Sequence, residues 1–414
     1  MPASPVPELR PFRGLLYDPQ AVPDLGAVIC PPYDVIDAAQ RARLVARDPR
    51  NAVRVEQPVA PGVDGVGIDA TYQQAGRLFA DWQSDGTLVR DDRPVLYLYE
   101  QRYLRSDGSP AVCRGFFCRL RLDPPGPASS VRPHERTMAG PKKDRLRLMR
   151  ALRANSSPVL LLYQPAGSGR AAADLLGQLM ARPAELEALA DDGVVHQLWR
   201  ADPAADWQAA ALLAGASAGP LTIADGHHRY ATALRFRDEV DGAGTDHVLA
   251  LLYDATSGGL ALEPTHRVVR RVLDRERLLP TLAERFSVRP VDGQAALRAE
   301  LARGGLVVWT RAGGAWLGPA GSELPVAGLS AAMPSVAGAE ETDLERGGML
   351  WYTRHADQAL ADVDEGSADA CFLLSATPVQ TVIDHAARGE VMPPKSTYFR
   401  PKAATGLVFN PLDQ

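Results

Sequence analysis

A chain of 414 residues is long enough to fold as two or more packed lobes. Its 45 lysines and arginines against 50 acids give a formal charge of −5 and no general basic field, which argues against nonspecific nucleic-acid binding as its main role. No stretch is apolar for long enough to span a bilayer, and Met1-Pro2-Ala3-Ser4-Pro5 opens without a basic segment and an apolar core, so the expected location is the cytoplasm.

In chain order, Ala38 to Arg47 reads as a helix, Ala52 to Glu56 as a strand and Tyr72 to Gln83 as a longer helix. Pro94 to Tyr103 and Ala111 to Leu120 read as paired strands, because the polar Arg105 to Pro110 segment between them suits a hairpin loop. Cys113 and Cys118 flank the apolar part of the second strand. With Cys30 and Cys371 they form no C-x-x-C pair, so all four read as reduced, buried thiols. Asp123 to Ser130, rich in Pro, Gly and Ser, is a loop or boundary. A basic helix at Lys142 to Arg153, a strand at Val159 to Tyr163, a helix from about Arg170, a strand at Val194 to Trp199 and a helix at Ala204 to Leu213 follow. Val248 to Tyr253 is a further apolar strand, and helices alternate with short strands from Arg275 to Ala387. The Gly- and Ala-rich stretches around 312 to 340 are expected to include exposed loops. This alternation predicts a mixed α/β architecture, with an N-terminal α/β lobe over 1–125, a phosphate-binding core over 126–270 and a C-terminal α/β lobe over 271–414.

The most informative segment is Leu221 to Tyr230, a short apolar run that stops at Asp225 and Gly226 and restarts with His227, His228 and Arg229. Gly226 permits a turn with positive φ, Asp225 is expected to cap the following helix, and the helix start directs unpaired N–H groups outward. Such a turn suits a phosphate, with Gly226 and Arg229 binding it. An ordinary strand-to-helix turn facing water would use the same residue types. A second polar cluster runs from Arg132 to Arg145. In it Glu135 could accept a proton from a hydroxyl, His134 lies beside it, and Thr137, Lys142 and Lys143 could hold phosphate oxygens. Glu135 and Asp225 are the candidates for a Mg2+ shell. Lys395, Ser396 and Thr397, set among prolines, could close over an anion, or the C-terminal run could be a strap that covers the core. Tyr33 and Asp34 could orient a small substrate and Asn51 or Arg54 could bind its carboxylate, although a diproline turn and a helix cap explain them nearly as well. His266 and Arg267 are weaker candidates of the same kind.

Several chemistries lack their fingerprints. Neither a Walker pattern nor a G-x-G-x-x-G turn stands at a strand-to-helix junction, and no Gly-x-Ser-x-Gly elbow is present. Adjacent His227 and His228 point about 100° apart on a helix, so a metal-dependent hydrolase, the third choice, would need one of them together with His134, Glu135 or Asp225.

Asp225-Gly226-His227-His228-Arg229 resembles the D-G-H-x-R phosphate-loop signature of the free-serine kinases, which belong to the ParB/sulfiredoxin-like superfamily. End to end the chain resembles the DUF1015 family, through Pro31-Pro32-Tyr33-Asp34, His134-Glu135-Arg136-Thr137 and Pro394-Lys395-Ser396-Thr397-Tyr398-Phe399. The resemblance implies a ParB/sulfiredoxin-like phosphate-binding core and phosphoryl transfer on a small hydroxy amino acid, with serine and phosphoserine leading and ATP or ADP with Mg2+ as partners. A non-catalytic nucleotide- or phosphometabolite-binding regulator is the alternative. The chain departs from the kinase pattern in its length and in the lack of an alignable equivalent of its H-E-x-T segment, which leaves the direction of transfer open.

Overall fold

The computed structural model describes residues 6–60, 67–125, 129–135, 137, 139–165, 170–240, 242, 244–319 and 324–414. Residues 126–128 of the Pro/Gly/Ser-rich loop and Arg136 of the H-E-x-T segment lie outside them. Two units are formed, one from Met1–Ala261 with Ala386–Gly389 and Pro401–Gln414, the other from Leu262–His385 with Glu390–Arg400.

The first unit is built on a nine-stranded sheet of β1 (Leu9–Arg10), β2 (Leu96–Leu104), β3 (Pro110–Arg121), β4 (Val131–Arg132), β5 (Val159–Tyr163), β6 (Leu186–Leu189), β7 (Val195–Ala201), β8 (Leu221–Asp225) and β9 (His247–Asp254). The strand order is β4-β8-β5-β9-β3-β2-β7-β6, with β1 on β3. The β8–β4 and β9–β5 pairs are parallel and the others antiparallel, so the sheet is mixed. Every residue of β5 and β9 is buried, as expected of strands covered on both faces. In β3 the outer half alternates exposed and buried, and from Gly115 to Leu120 it is buried without a break. Strands from both sides of residue 125 share this sheet, so the chain has no structural break there.

Seven helices matter below: α1 (Ala38–Arg47), α2 (Val53–Glu56), α3 (Ile68–Ser84), α4 (Ala139–Leu152), α5 (Arg170–Leu179), α6 (Trp207–Ala216) and α7 (His227–Glu239). Asp37 starts α1 by accepting from the N–H of Gln40 at 2.7 Å, and Asp206 starts α6 in the same way. α4 packs on both α3 and α7, with Leu146 and Met149 of α4 and Tyr230, Ala233 and Phe236 of α7 in one apolar cluster. That packing brings the basic helix beside the turn at Asp225.

The expected strand at Ala52 to Glu56 is instead the single helical turn α2. Val53 and Val55 imitate strand alternation, but Asn51 Oδ1 accepts from the N–H of Val53 at 2.9 Å and bends the chain into a turn. The stretch around 312 to 340 contains two regular elements, and its residues 320–323 lie outside the described ones. Gly313–Pro319 is a strand and Pro325–Ala337 a helix, because Ala315, Leu317, Val326, Leu329 and Met333 supply enough apolar surface to be buried. These belong to the second unit, whose six-stranded antiparallel sheet runs in the order Phe286–Val291, Gly313–Pro319, Leu306–Thr310, Ala370–Leu374, His266–Val269, Leu350–Thr353. All four cysteines are free and buried. Among the described residues no helix is long and apolar enough to cross a membrane.

Candidate functional site

Asp225 is the last residue of β8, and Gly226 turns the chain into α7 with φ 90°. A side chain at Gly226 would be strained by that φ and would place its Cβ 2.9 Å from Arg229 Nε. The structure therefore corrects the expected cap: Gly226 is the N-cap residue and no side chain caps α7. Asp225 is used as a clasp instead. Its Oδ1 accepts from the N–H of Gly226 at 2.9 Å, and its Oδ2 accepts from Lys402 Nζ at 3.0 Å and from Arg229 Nη2 at 3.2 Å. Arg229 also donates to the carbonyl of Pro158. Burial alone would raise the Asp225 carboxyl, but Lys402 and Arg229 outweigh it and hold it well below the usual carboxylate range.

The clasp is tied to the H-E-x-T segment by two imidazoles. His134 Nδ1 is 2.6 Å from the carbonyl oxygen of Ile223, so Nδ1 carries the proton. The backbone N–H of His134 donates to His227 Nε2 at 3.2 Å, which requires a lone pair there. The rings meet edge to face with centroids 4.6 Å apart. Burial lowers the His134 pKa to about 4, and burial with the neighbouring His134 lowers His227 well below its ordinary value. Both rings are therefore neutral at pH 7 and act as connectors, which sets Glu135, half-buried, directly after the contact. Thr137 and Lys142 are half-buried and Lys143 is exposed; the Lys142 carbonyl accepts from Thr232 of α7 at 3.5 Å. His228 is half-buried in the first turn of α7.

These neutral histidines set a pH dependence. Unfolded His134, His196 and His227 take up protons near their ordinary 6.5, whereas burial lowers folded His134 and His196 to about 4 and holds His227 well below its ordinary value. The unfolded state then binds more protons between about pH 4 and 6.5, so stability falls as pH falls through that window, by up to about 1.4 kcal/mol per pH unit for each histidine. Thermal melts of the protein should show a lower midpoint at pH 5 than at pH 7. A midpoint that is unchanged or higher at pH 5 would mean that the folded rings are charged.

Beside the clasp lies an ion cluster that the sequence reading did not select. Glu56 is fully buried and accepts from Ser156 Oγ at 2.5 Å, Ser157 Oγ at 2.9 Å and the N–H of Tyr33 at 3.4 Å. Arg145 Nη1 stands 3.5 Å from Glu56 Oε1 and donates to the Glu56 carbonyl at 2.7 Å, while Asp144 holds its Nε. The Arg145 guanidinium lies 3.9 Å over the Tyr33 ring. Arg229, Arg145, Ser156 and Ser157 line one small cavity, so the two clusters adjoin. The signal for Arg145 and Lys402 was present, since both close runs of basic residues. Glu56 gave none, because its partners come from distant segments.

Of the other candidates, Tyr33 is half-buried and Asp34 exposed, and both lie close enough to Arg229 to act on its charge. Asn51 spends its amide on the carbonyls of Ala27 and Ile29 and on starting α2, so it holds the backbone in place. Arg54 donates to the carbonyl of Val45 at 2.8 Å. In the second unit, buried His266 accepts from the N–H of Leu374, and Arg267 pairs with Glu341 at 3.1 Å and donates to the carbonyl of Thr265. Lys395 is exposed with φ 59°, Ser396 donates to the carbonyl of Pro393 at 2.6 Å, and Thr397 is half-buried. Among the described residues no three His, Cys, Asp or Glu side chains gather as a metal-holding group. Mg2+ usually keeps several waters and takes one or two carboxylates beside substrate phosphates, so it does not require such a trio.

The family model described as "Protein of unknown function (DUF1015)" matches residues 9–355. The chain belongs to DUF1015. A comparison with curated proteins gives no match. Among solved structures, this DUF1015 chain is similar to a free serine kinase in complex with AMP, at 16% identity over 68% of this chain and 86% of that one, with a TM-score of 0.41. It is similar to a conserved hypothetical protein from Pyrococcus furiosus at 16% identity over 68% and 90% of the two chains, with a TM-score of 0.39. It is also similar to SbnI with a C-terminal truncation from Staphylococcus aureus, at 11% identity over 72% and 87%, with a TM-score of 0.40.

Proposed function

We propose that the chain transfers a phosphoryl group between a nucleotide and a small hydroxy amino acid, with serine and phosphoserine as the leading pair. One observation carries the reading. Two cations, Arg229 and Lys402, converge on the single carboxylate of Asp225 at the start of α7, whose first turn holds no acid and whose N-cap has no side chain. The neighbouring His134 and His227 are neutral, so within the clasp two cations face one carboxylate at the positive end of a helix dipole, where a phosphate is favoured.

On this reading Gly226 and Arg229 bind the phosphate, with Lys402 and the Thr137, Lys142 and Lys143 donors around it. Asp225 is a positioning residue, since its oxygens are already taken by Gly226, Lys402 and Arg229. Glu135 accepts the proton of the amino-acid hydroxyl as the hydroxyl oxygen forms the new bond to phosphorus and the bond from that phosphorus to the nucleotide's β-phosphate oxygen breaks, leaving the nucleoside diphosphate; alternatively Glu135 holds Mg2+. A bound nucleotide with Mg2+ would supply or accept the phosphoryl group and neutralise its charge. Transfer from phosphoserine to ADP uses the same residues in reverse.

Calorimetric titration with phosphoserine and with ADP in the presence of Mg2+ tests the binding part. Saturable binding of both is expected, with phosphoserine affinity falling in Arg229→Lys, because lysine cannot span Asp225 and a phosphate with one planar fork. Failure of both ligands to bind would end the reading.

A further inference from the structure

The first unit has another cavity, of about 640 Å3, none of whose lining residues belongs to the Asp225 or Glu56 clusters. Arg41 from α1, Arg54 from α2 and Arg77 from α3 all reach it. Arg41 donates to the carbonyls of Gln57 at 2.7 Å and Pro58 at 2.6 Å, and Arg54 donates to that of Val45. Arg54 Nε is shielded from water and has no hydrogen-bond partner. Arg77 is exposed. Among the described residues none of the three guanidiniums has a carboxylate within ion-pair distance, although Asp81 of α3 lines the same cavity. Among the described residues three cations thus share this space with one acid.

Holding like charges together is unfavourable, and here burial and the charge of Arg54 both push the Arg41 pKa down. A ligand with several negative charges would remove that cost. Guanidinium forks match phosphate oxygens in pairs, the volume lies in the usual range for small-molecule sites, and Val45, Ala75 and Leu78 add an apolar wall. We propose that the cavity walled by α1, α2 and α3 binds a polyphosphate chain, free or carried by a nucleoside, at a site separate from the one around Asp225.

The test is calorimetric titration of the full chain with sodium tripolyphosphate and with ATP, both without Mg2+ and at low salt. Saturable tripolyphosphate binding is expected, weakened about tenfold or more in Arg54→Gln by loss of a charge-assisted contact. Arg77→Ala, at an exposed position, should weaken it less, and in an Arg229→Lys background, where phosphate binding around Asp225 is impaired, the Arg54-dependent binding should remain. Measured in that Arg229→Lys background, ATP binding tighter than tripolyphosphate would identify a nucleoside-borne chain, and equal affinity a free one. The proposal is overturned if wild-type protein shows no saturable binding, or if binding is lost in Arg229→Lys and kept in Arg77→Ala.

Discussion

Glu135→Gln is expected to slow phosphoryl transfer between nucleotide and serine by about two to four orders of magnitude while nucleotide affinity persists, if Glu135 is the general base. The substitution keeps the size of the side chain and removes its charge. Glu135 is the acid set beside the His134–His227 contact, and the neighbouring imidazoles are neutral and already committed to their hydrogen bonds. If Glu135 instead holds Mg2+, metal affinity falls too, and raising Mg2+ recovers part of the rate. Steady-state turnover measured across a Mg2+ series separates these outcomes. Near-wild-type turnover at ordinary Mg2+ would remove Glu135 from both roles.

Asp225→Asn should have the largest effect on stability. The change removes the carboxylate that Lys402 and Arg229 share, at side-chain exposures of 14% and 9%. Removing one partner of a fully buried ion pair costs roughly 3–5 kcal/mol, and the lower end is expected because Asp225 itself keeps 17% of its surface. Denaturant unfolding, followed by a probe in the first unit, measures this directly. A loss below about 1 kcal/mol would be that of an exposed pair, and would mean that water already screens the clasp. The same variant separates positioning from catalysis: on folded protein, the phosphoserine affinity should fall together with turnover.

Much of the first unit was legible in the sequence because local signals and tertiary packing agree there. Ala38–Arg47 and Val159–Tyr163 have the bounds that their patterning predicts, and the β2–β3 hairpin falls where its polar loop places it. The turn at Asp225-Gly226 was legible for the same reason, since a strand end, a positive-φ glycine and a helix start lie within a few residues. What escaped was everything set by long-range contact. Val53 and Val55 resemble a strand until Asn51 is seen to bend the backbone, and Asp225 resembles a cap until Lys402, 177 residues away, is found on its carboxylate. Glu56 and its serine partners are about a hundred residues apart in the chain. No periodicity can announce such a pair.

The most direct measurement is a 31P NMR time course of the protein with phosphoserine, ADP and Mg2+. The account predicts that the phosphoserine resonance declines while a nucleotide γ-phosphate resonance grows, and that serine with ATP approaches the same mixture from the other side. Inorganic phosphate growing in place of the γ-phosphate resonance would make water the acceptor and leave phosphoserine as substrate. A spectrum unchanged in both directions, from folded protein that binds both ligands, would contradict phosphoryl transfer and leave a binding protein.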